Sequence, residues 1–162
     1  MKRLLALGIT ALSLQAAVSH AQEGWQCWGD AAARYGVPVD LLYAIARVET
    51  GSRYNLVSPK NKNGSYDIGL MQINSIHLPR LAKLGITKQD LLDKPCVNLH
   101  VGAWILSESI SRHGYTWVAI GAYNAGSHHK RKIYARKVFA MYDRITRERQ
   151  TVAMADRREK SN

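Results

Sequence analysis

Proline, cysteine and acidic residues are all scarce in this chain of 162 residues, which has four Pro, two Cys, and 12 Asp or Glu against 23 Lys or Arg. With so few prolines, most of the chain is free to be helical, since an interior proline removes a hydrogen bond and clashes with the preceding turn. Two cysteines are too few for a disulfide-dense scaffold or a four-cysteine zinc site. No apolar run reaches the roughly 20 residues that a bilayer span requires. No internal repeat or low-complexity segment is visible, which excludes solenoids and linker-like chains.

What is present begins with an address. Lys2 and Arg3 precede an apolar stretch over residues 4–14, and Ser19 and Ala21 place small side chains at the −3 and −1 positions of a cleavage site. That pattern reads as a secretory signal over residues 1–21, with an uncut membrane anchor as the alternative. The mature chain would then be a soluble periplasmic protein beginning at Gln22. Its 141 residues suffice for one domain with one core. In an oxidising compartment Cys27 and Cys96 most simply pair, for a gain of roughly 4 kcal/mol on the chain-entropy estimate. Two free buried thiols are the alternative. No metal is expected, because no histidine stands at ligand spacing from either cysteine.

Charge is concentrated at one end. The net charge is +11, and residues 128–162 carry 11 Lys or Arg against four Asp or Glu. Such a tail suits an anionic partner, with a merely solvated basic helix face as the alternative. Export argues against nucleic acid as that partner.

The periodicity is helical nearly throughout. Residues 25–35 predict a first helix stopped by Gly36. Pro38 and Gly51 frame a second over residues 38–50. Residues 55–67 are loop-like, and Asn63-Gly64-Ser65, formally a glycosylation sequon, is better explained as a turn. A helix bent or broken at Pro79 is expected over residues 70–84. Cys96, Leu99, Ala103, Leu106 and Ile110 form one apolar stripe, ended by Gly114. Residues 117–124 predict a short helix. Tyr134, Val138, Met141 and Ile145 mark a final amphipathic one. The domain is expected to span residues 22–148, with a basic, disordered tail over residues 149–162. The fold class is all-α, or helix-dominated α+β, in a single domain.

Glu49 is the unusual acid. Leu42, Ile45 and Glu49 fall at i, i+3 and i+7, so the carboxyl continues an apolar helix face. It also lies in the last turn, where the helix dipole disfavours negative charge. Both effects raise a carboxyl pKa and keep it protonated near neutral pH, which a glycosidase acid requires. A solvated Glu at a frayed helix end is the alternative.

The runs Val48-Glu49-Thr50-Gly51, Gly69-Leu70-Met71-Gln72-Ile73-Asn74 and Ala122-Tyr123-Asn124-Ala125-Gly126 together resemble the lytic transglycosylase family, of goose-lysozyme-like fold. Three motifs in order make the resemblance specific, and it covers roughly residues 27–142. Asn63-Gly64-Ser65-Tyr66-Asp67 ahead of the second motif is similar to a branch that opens the wall locally for secretion, conjugation or pilus assembly.

The resemblance implies a lysozyme-like domain with a groove for peptidoglycan glycan strands, acting as a monomer without metal or cofactor. Glu49 matches the family's acid/base. Met71 and Gln72 match a motif lining the sugar groove, Tyr123 and Asn124 one facing the cleavage point, and Tyr134 a tyrosine orienting the glutamate or the sugar. Met71 and Tyr134 are alternatively ordinary core residues. Thr50 stands where the family usually has serine. The segment before Gly69 is longer than usual and carries Asp67, either a second catalytic carboxylate or the cap of a helix starting near Ile68. Two other functions compete: a two-carboxylate hydrolytic muramidase using Glu49 and Asp67, and a non-catalytic wall-binding assembly factor.

Overall fold

The computed structural model describes residues 26–161. The expected signal over residues 1–21, the first residue of the first predicted helix, and Asn162 lie outside the described residues.

Helix α1 covers residues 26–35. It is followed by α2 (Val39–Thr50), whose C-terminus is closed by Gly51 at φ 65°, ψ 26°. Glycine occupies that left-handed cap without the Cβ clash other residues meet, and its N–H returns to the carbonyl of Arg47. A two-stranded antiparallel hairpin follows, with β1 (Asp67–Ile68) paired to β2 (Ile73–Asn74). Next come a 3-10 turn (Ser75–His77), α3 (Leu78–Ala82), α4 (Lys88–Asp93), α5 (Pro95–His113), α6 (Trp117–Asn124) and α7 (His128–Ser161). The fold is helix-dominated, with this hairpin as its strand component.

Helix α7 packs along both α2 and α6, and α6 rests on α5. Leu42 and Ile45 of α2, Leu99, Ala103 and Leu106 of α5, and Val138 of α7 are fully or almost fully buried, so the predicted stripes do face the core. Their burial supplies the main favourable term in folding. Cys27 of α1 and Cys96 of α5 form the expected disulfide, Cα to Cα 5.9 Å. The spacing argument against a nearby histidine is corrected. His100, one helical turn beyond Cys96, lies beside both sulfurs, because positions four apart share a helix face. With the sulfurs bonded to each other, that trio lacks the thiolates a metal needs.

Two local expectations are corrected, and one helix is additional to those expected. Residues 70–84 are not one helix: Gly69 at φ 70° and Gln72 at φ 47° turn the chain left-handed and produce the hairpin. Pro79 does not break a helix. It stands in the first turn of α3, where its missing N–H has no partner to lose. Helix α4 was not anticipated, although Thr87 and Asp90 form a reciprocal capping box that the Thr-x-x-Asp spacing announces.

The tail is corrected as well. Where disorder was expected after residue 150, α7 continues unbroken to Ser161. No glycine or proline interrupts residues 128–161, and strong helix formers fill them. Just before the tail, the pairs Arg144–Glu148 and Arg147–Asp143 lie one turn apart. Arg149 ties α7 to Asp40 of α2 at 2.9 Å. Residues 151–161 are all exposed. Deleting residues 151–162 is therefore expected to reduce the helical circular dichroism signal while moving the melting temperature by under about 2 °C. A larger fall would show that the tail packs.

Candidate active site

Glu49 reaches the site from the last turn of α2, whose buried face sets its direction. The neighbouring Thr50 is 5 % exposed, and its hydroxyl donates to the carbonyls of Ala46 (3.2 Å) and Leu70 (3.1 Å). The second of these bonds ties the end of α2 to the turn between β1 and β2. The hydroxyl retained at this position thus fixes the end of α2 against the second motif.

Two side chains from other helices meet the carboxyl. Tyr134 of α7 donates its hydroxyl to Glu49 Oε1 at 2.6 Å, and Asn124 at the end of α6 approaches the same oxygen at 3.5 Å. Burial pushes the Glu49 pKa up to about 7. The Tyr134 bond pulls against this, the negative charge of Asp67 adds to it, and Asn124 and Lys137 oppose it. Burial dominates, because a carboxylate with little water around it loses its solvation. Tyr134 is itself held well above the usual phenol range by burial and by Glu49, so it stays a donor.

The carboxyl opens into a groove of about 930 Å³ lined by Asp67, Gln72, Asn74, Tyr123 and Asn124, among others. Asp67 lies on β1, held by Asn74 Nδ2 at 2.7 Å and by Ser58 Oγ at 3.4 Å, while its N–H donates to Ser58 Oγ at 2.8 Å. No helix begins at Ile68, so the capping alternative for Asp67 falls away. The loop before it is closed by Asn63, whose Oδ1 accepts from the Ser65 N–H and hydroxyl. This is the Asn-centred turn expected there.

The second motif divides its labour. Gln72 lines the groove and donates to the Gly69 carbonyl at 2.9 Å. Met71 is corrected as a groove residue. Its side chain is fully buried and packs on Gly102, where a Cβ would come within 2.8 Å of it. The Met71 backbone does reach the site, since its carbonyl accepts from the Tyr123 hydroxyl at 2.8 Å. The Tyr123 ring lies nearly parallel to that of Tyr134, centroids 6.5 Å apart.

Sequence reasoning missed Asn98. It is wholly buried on α5, accepts from the Met71 N–H (2.8 Å), and donates to the carbonyls of Ile68 and Leu91 (2.9 Å each). It thereby satisfies two backbone groups of the hairpin and one of α4 that would otherwise be buried unpaired. Gly69 leaves no room for a side chain: a Cβ would lie 2.3 Å from Asn98 Nδ2. The available signal was a polar residue beside the apolar stripe of a buried helix.

Residues 26–143 match the transglycosylase SLT domain. The chain belongs to the transglycosylase SLT family. It is a peptidoglycan lytic transglycosylase. This transglycosylase is similar to the invasion protein IagB of Salmonella typhimurium, 44 % identical over 123 residues that span 74 % of this chain and 76 % of that one. Similarity to protein IpgF of Shigella flexneri is 41 % over 126 residues, or 75 % and 82 % of the two chains. A peptidoglycan-binding-like protein of Escherichia coli O157:H7 is 40 % identical over 129 residues, covering 74 % and 77 %. Among solved structures, an inactive mutant of the lytic transglycosylase Slt from Pseudomonas aeruginosa superposes with a TM-score of 0.56 at 23 % identity. That match covers 72 % of this chain and 23 % of the larger one, and it shows the lysozyme-like fold. No helix among the described residues is long and apolar enough to cross a membrane.

Proposed function

We propose that Glu49 is the acid and then the base in cleavage of the β-1,4 bond between N-acetylmuramic acid and N-acetylglucosamine. The observation that carries this is a carboxyl with a pKa near 7, bonded by Tyr134 and open to a groove. A carboxyl still half-protonated at neutral pH donates its proton to the glycosidic oxygen as the bond to C1 breaks. The substrate's acetamido oxygen stabilises the resulting cation. Glu49, now ionised, takes the proton of the 6-hydroxyl as that oxygen bonds C1, which closes a 1,6-anhydro ring without water. Gln72, Tyr123 and Asn124 bind or border the sugars, while Tyr134 positions the carboxyl. Mass analysis of fragments released from purified sacculi tests the reading: anhydro ends are expected, and reducing ends alone would overturn it in favour of a hydrolytic muramidase.

Asp67 supports that chemistry. It lines the same groove and its charge adds to the shift of Glu49. As an anion it stabilises the developing sugar cation. Asp67→Asn is expected to slow release roughly tenfold to a hundredfold at an unchanged melting temperature, and to move the alkaline limb of the pH–rate profile downward. Wild-type rate and profile in that variant would leave Asp67 a structural residue.

The biological role follows the relatives. The one named an invasion protein supports local wall opening for a secretion, conjugation or pilus apparatus. Residues 1–21 would direct export to the periplasm, where peptidoglycan lies. A non-catalytic assembly role is disfavoured by the tuned Glu49.

A further inference from the structure

Beside the groove, α6 and α7 leave a second concavity uncovered, with a volume of about 410 Å³. Trp117, Val118 and Phe139 line it, and Arg131, Lys132 and Arg136 stand around it. The three apolar side chains are 41 %, 52 % and 51 % exposed, and the Trp117 and Phe139 rings meet edge to face at 5.1 Å. Contiguous apolar surface of this kind, rimmed by polar groups, marks interaction sites on folded proteins. Among the described residues, none of the three cations belongs to an ion pair, while the acids of α7 nearest in sequence are engaged with Arg147 and Arg144.

We propose that this pocket docks an acidic protein segment in which one aromatic or aliphatic anchor is flanked by Asp or Glu. The anchor fills the Trp117–Phe139 recess and the acids meet Arg131, Lys132 and Arg136. A neutral glycan would leave these cations without an anionic partner. A planar membrane surface would leave the concavity unfilled, whereas a single side chain can enter it. Arg131 links the pocket to catalysis, because it lines both cavities and its Nε donates to the Ala125 carbonyl at 2.8 Å, one residue beyond Asn124. Gly121 seats α7 there, since a Cβ on it would lie 2.5 Å from the Arg131 carbonyl oxygen. A docked segment therefore shares a wall with the catalytic groove and holds the enzyme at its partner with the groove still open. This site does not depend on which bond Glu49 cleaves.

The test is selection of a displayed random 12-residue peptide library against the full chain. Enrichment of acidic sequences with an apolar anchor is expected. Binding of the best peptide should fall at least tenfold in Lys132→Glu with Arg136→Glu and in Phe139→Ser, and weaken with salt. Circular dichroism and melting curves check the fold of each variant. The charge-reversal pair, on exposed helix positions, carries the test if Phe139→Ser does not fold. Selected peptides lacking acids, or binding indifferent to the charge reversals, would overturn the proposal. So would failure to enrich any peptide together with variant-sensitive binding to phosphatidylglycerol vesicles, which would assign the surface to a membrane.

Discussion

Glu49→Gln is expected to reduce muropeptide release by about two to four orders of magnitude, the usual contribution of a positioned general acid, and to make the protein more stable at pH 8. The two effects have one origin. Glutamine can still accept the Tyr134 hydroxyl bond but has no proton to give. In the wild type the folded pKa near 7 exceeds the unfolded value of 4.5. Between those values the folded state holds a proton that the unfolded state has released, so stability falls as pH rises through the window. Above pH 7 the full cost applies, an upper figure of roughly 3 kcal/mol from the 1.36 kcal/mol per pKa unit. Below about pH 4 both states are protonated and the cost vanishes. Melting curves of the two proteins should coincide near pH 4 and separate by several degrees at pH 8, with the variant higher. The wild-type rate should correspondingly decline above pH 7. Substantial release by well-folded Glu49→Gln would remove Glu49 from the chemistry. Coincident melting curves at pH 8 would instead remove the buried-acid account of its tuning.

Replacing both Cys27 and Cys96 with serine is expected to lower the melting temperature by roughly 10–20 °C. The bridge joins residues 69 apart, and opening such a loop frees the unfolded chain by roughly 4 kcal/mol on the entropy estimate. Apart from the bridge, α1 is held by Ala31, which is fully buried, and by Trp28 against the Tyr43 ring at 5.5 Å. Neither cysteine lines the groove, so the surviving folded fraction should release muropeptides at the wild-type rate. Thiol titration of the denatured, unreduced wild type should detect no free thiol, whereas two would show that no bridge forms. A double variant as stable as the wild type would place the stabilisation of α1 in its packing alone.

Most of the helical frame was legible because it rests on local periodicity. Leu42 and Ile45, Leu99 and Leu106, and Tyr134 and Val138 recur at helical spacing, and each pair is buried where the stripe placed it. Gly51 and Gly114 ended their helices because few other residues tolerate φ of 65° and 72°. The hairpin around Gly69 and Gln72 was not legible. A left-handed glutamine carries no local signature, and the backbone groups of that turn are satisfied by Asn98, 27 residues further on. The helical tail was misread for the opposite reason: its polar sequence lacks an apolar stripe, yet its residues have the propensity for a helix.

By itself the sequence determined where most of the helices run, that Glu49 lies on an apolar helix face, and that three motifs stand in the order of one family. Only the tertiary structure decided what each motif residue touches. Met71 and Gln72 are neighbours in one run, but one side chain is buried under α5 while the other lines the groove. Tyr134 falls on a stripe of core residues, and only the crossing of α7 over α2 turns its hydroxyl onto Glu49, 85 positions away. A side chain's role depends on which distant group it meets, and local spacing encodes the face of an element without encoding the partner opposite it.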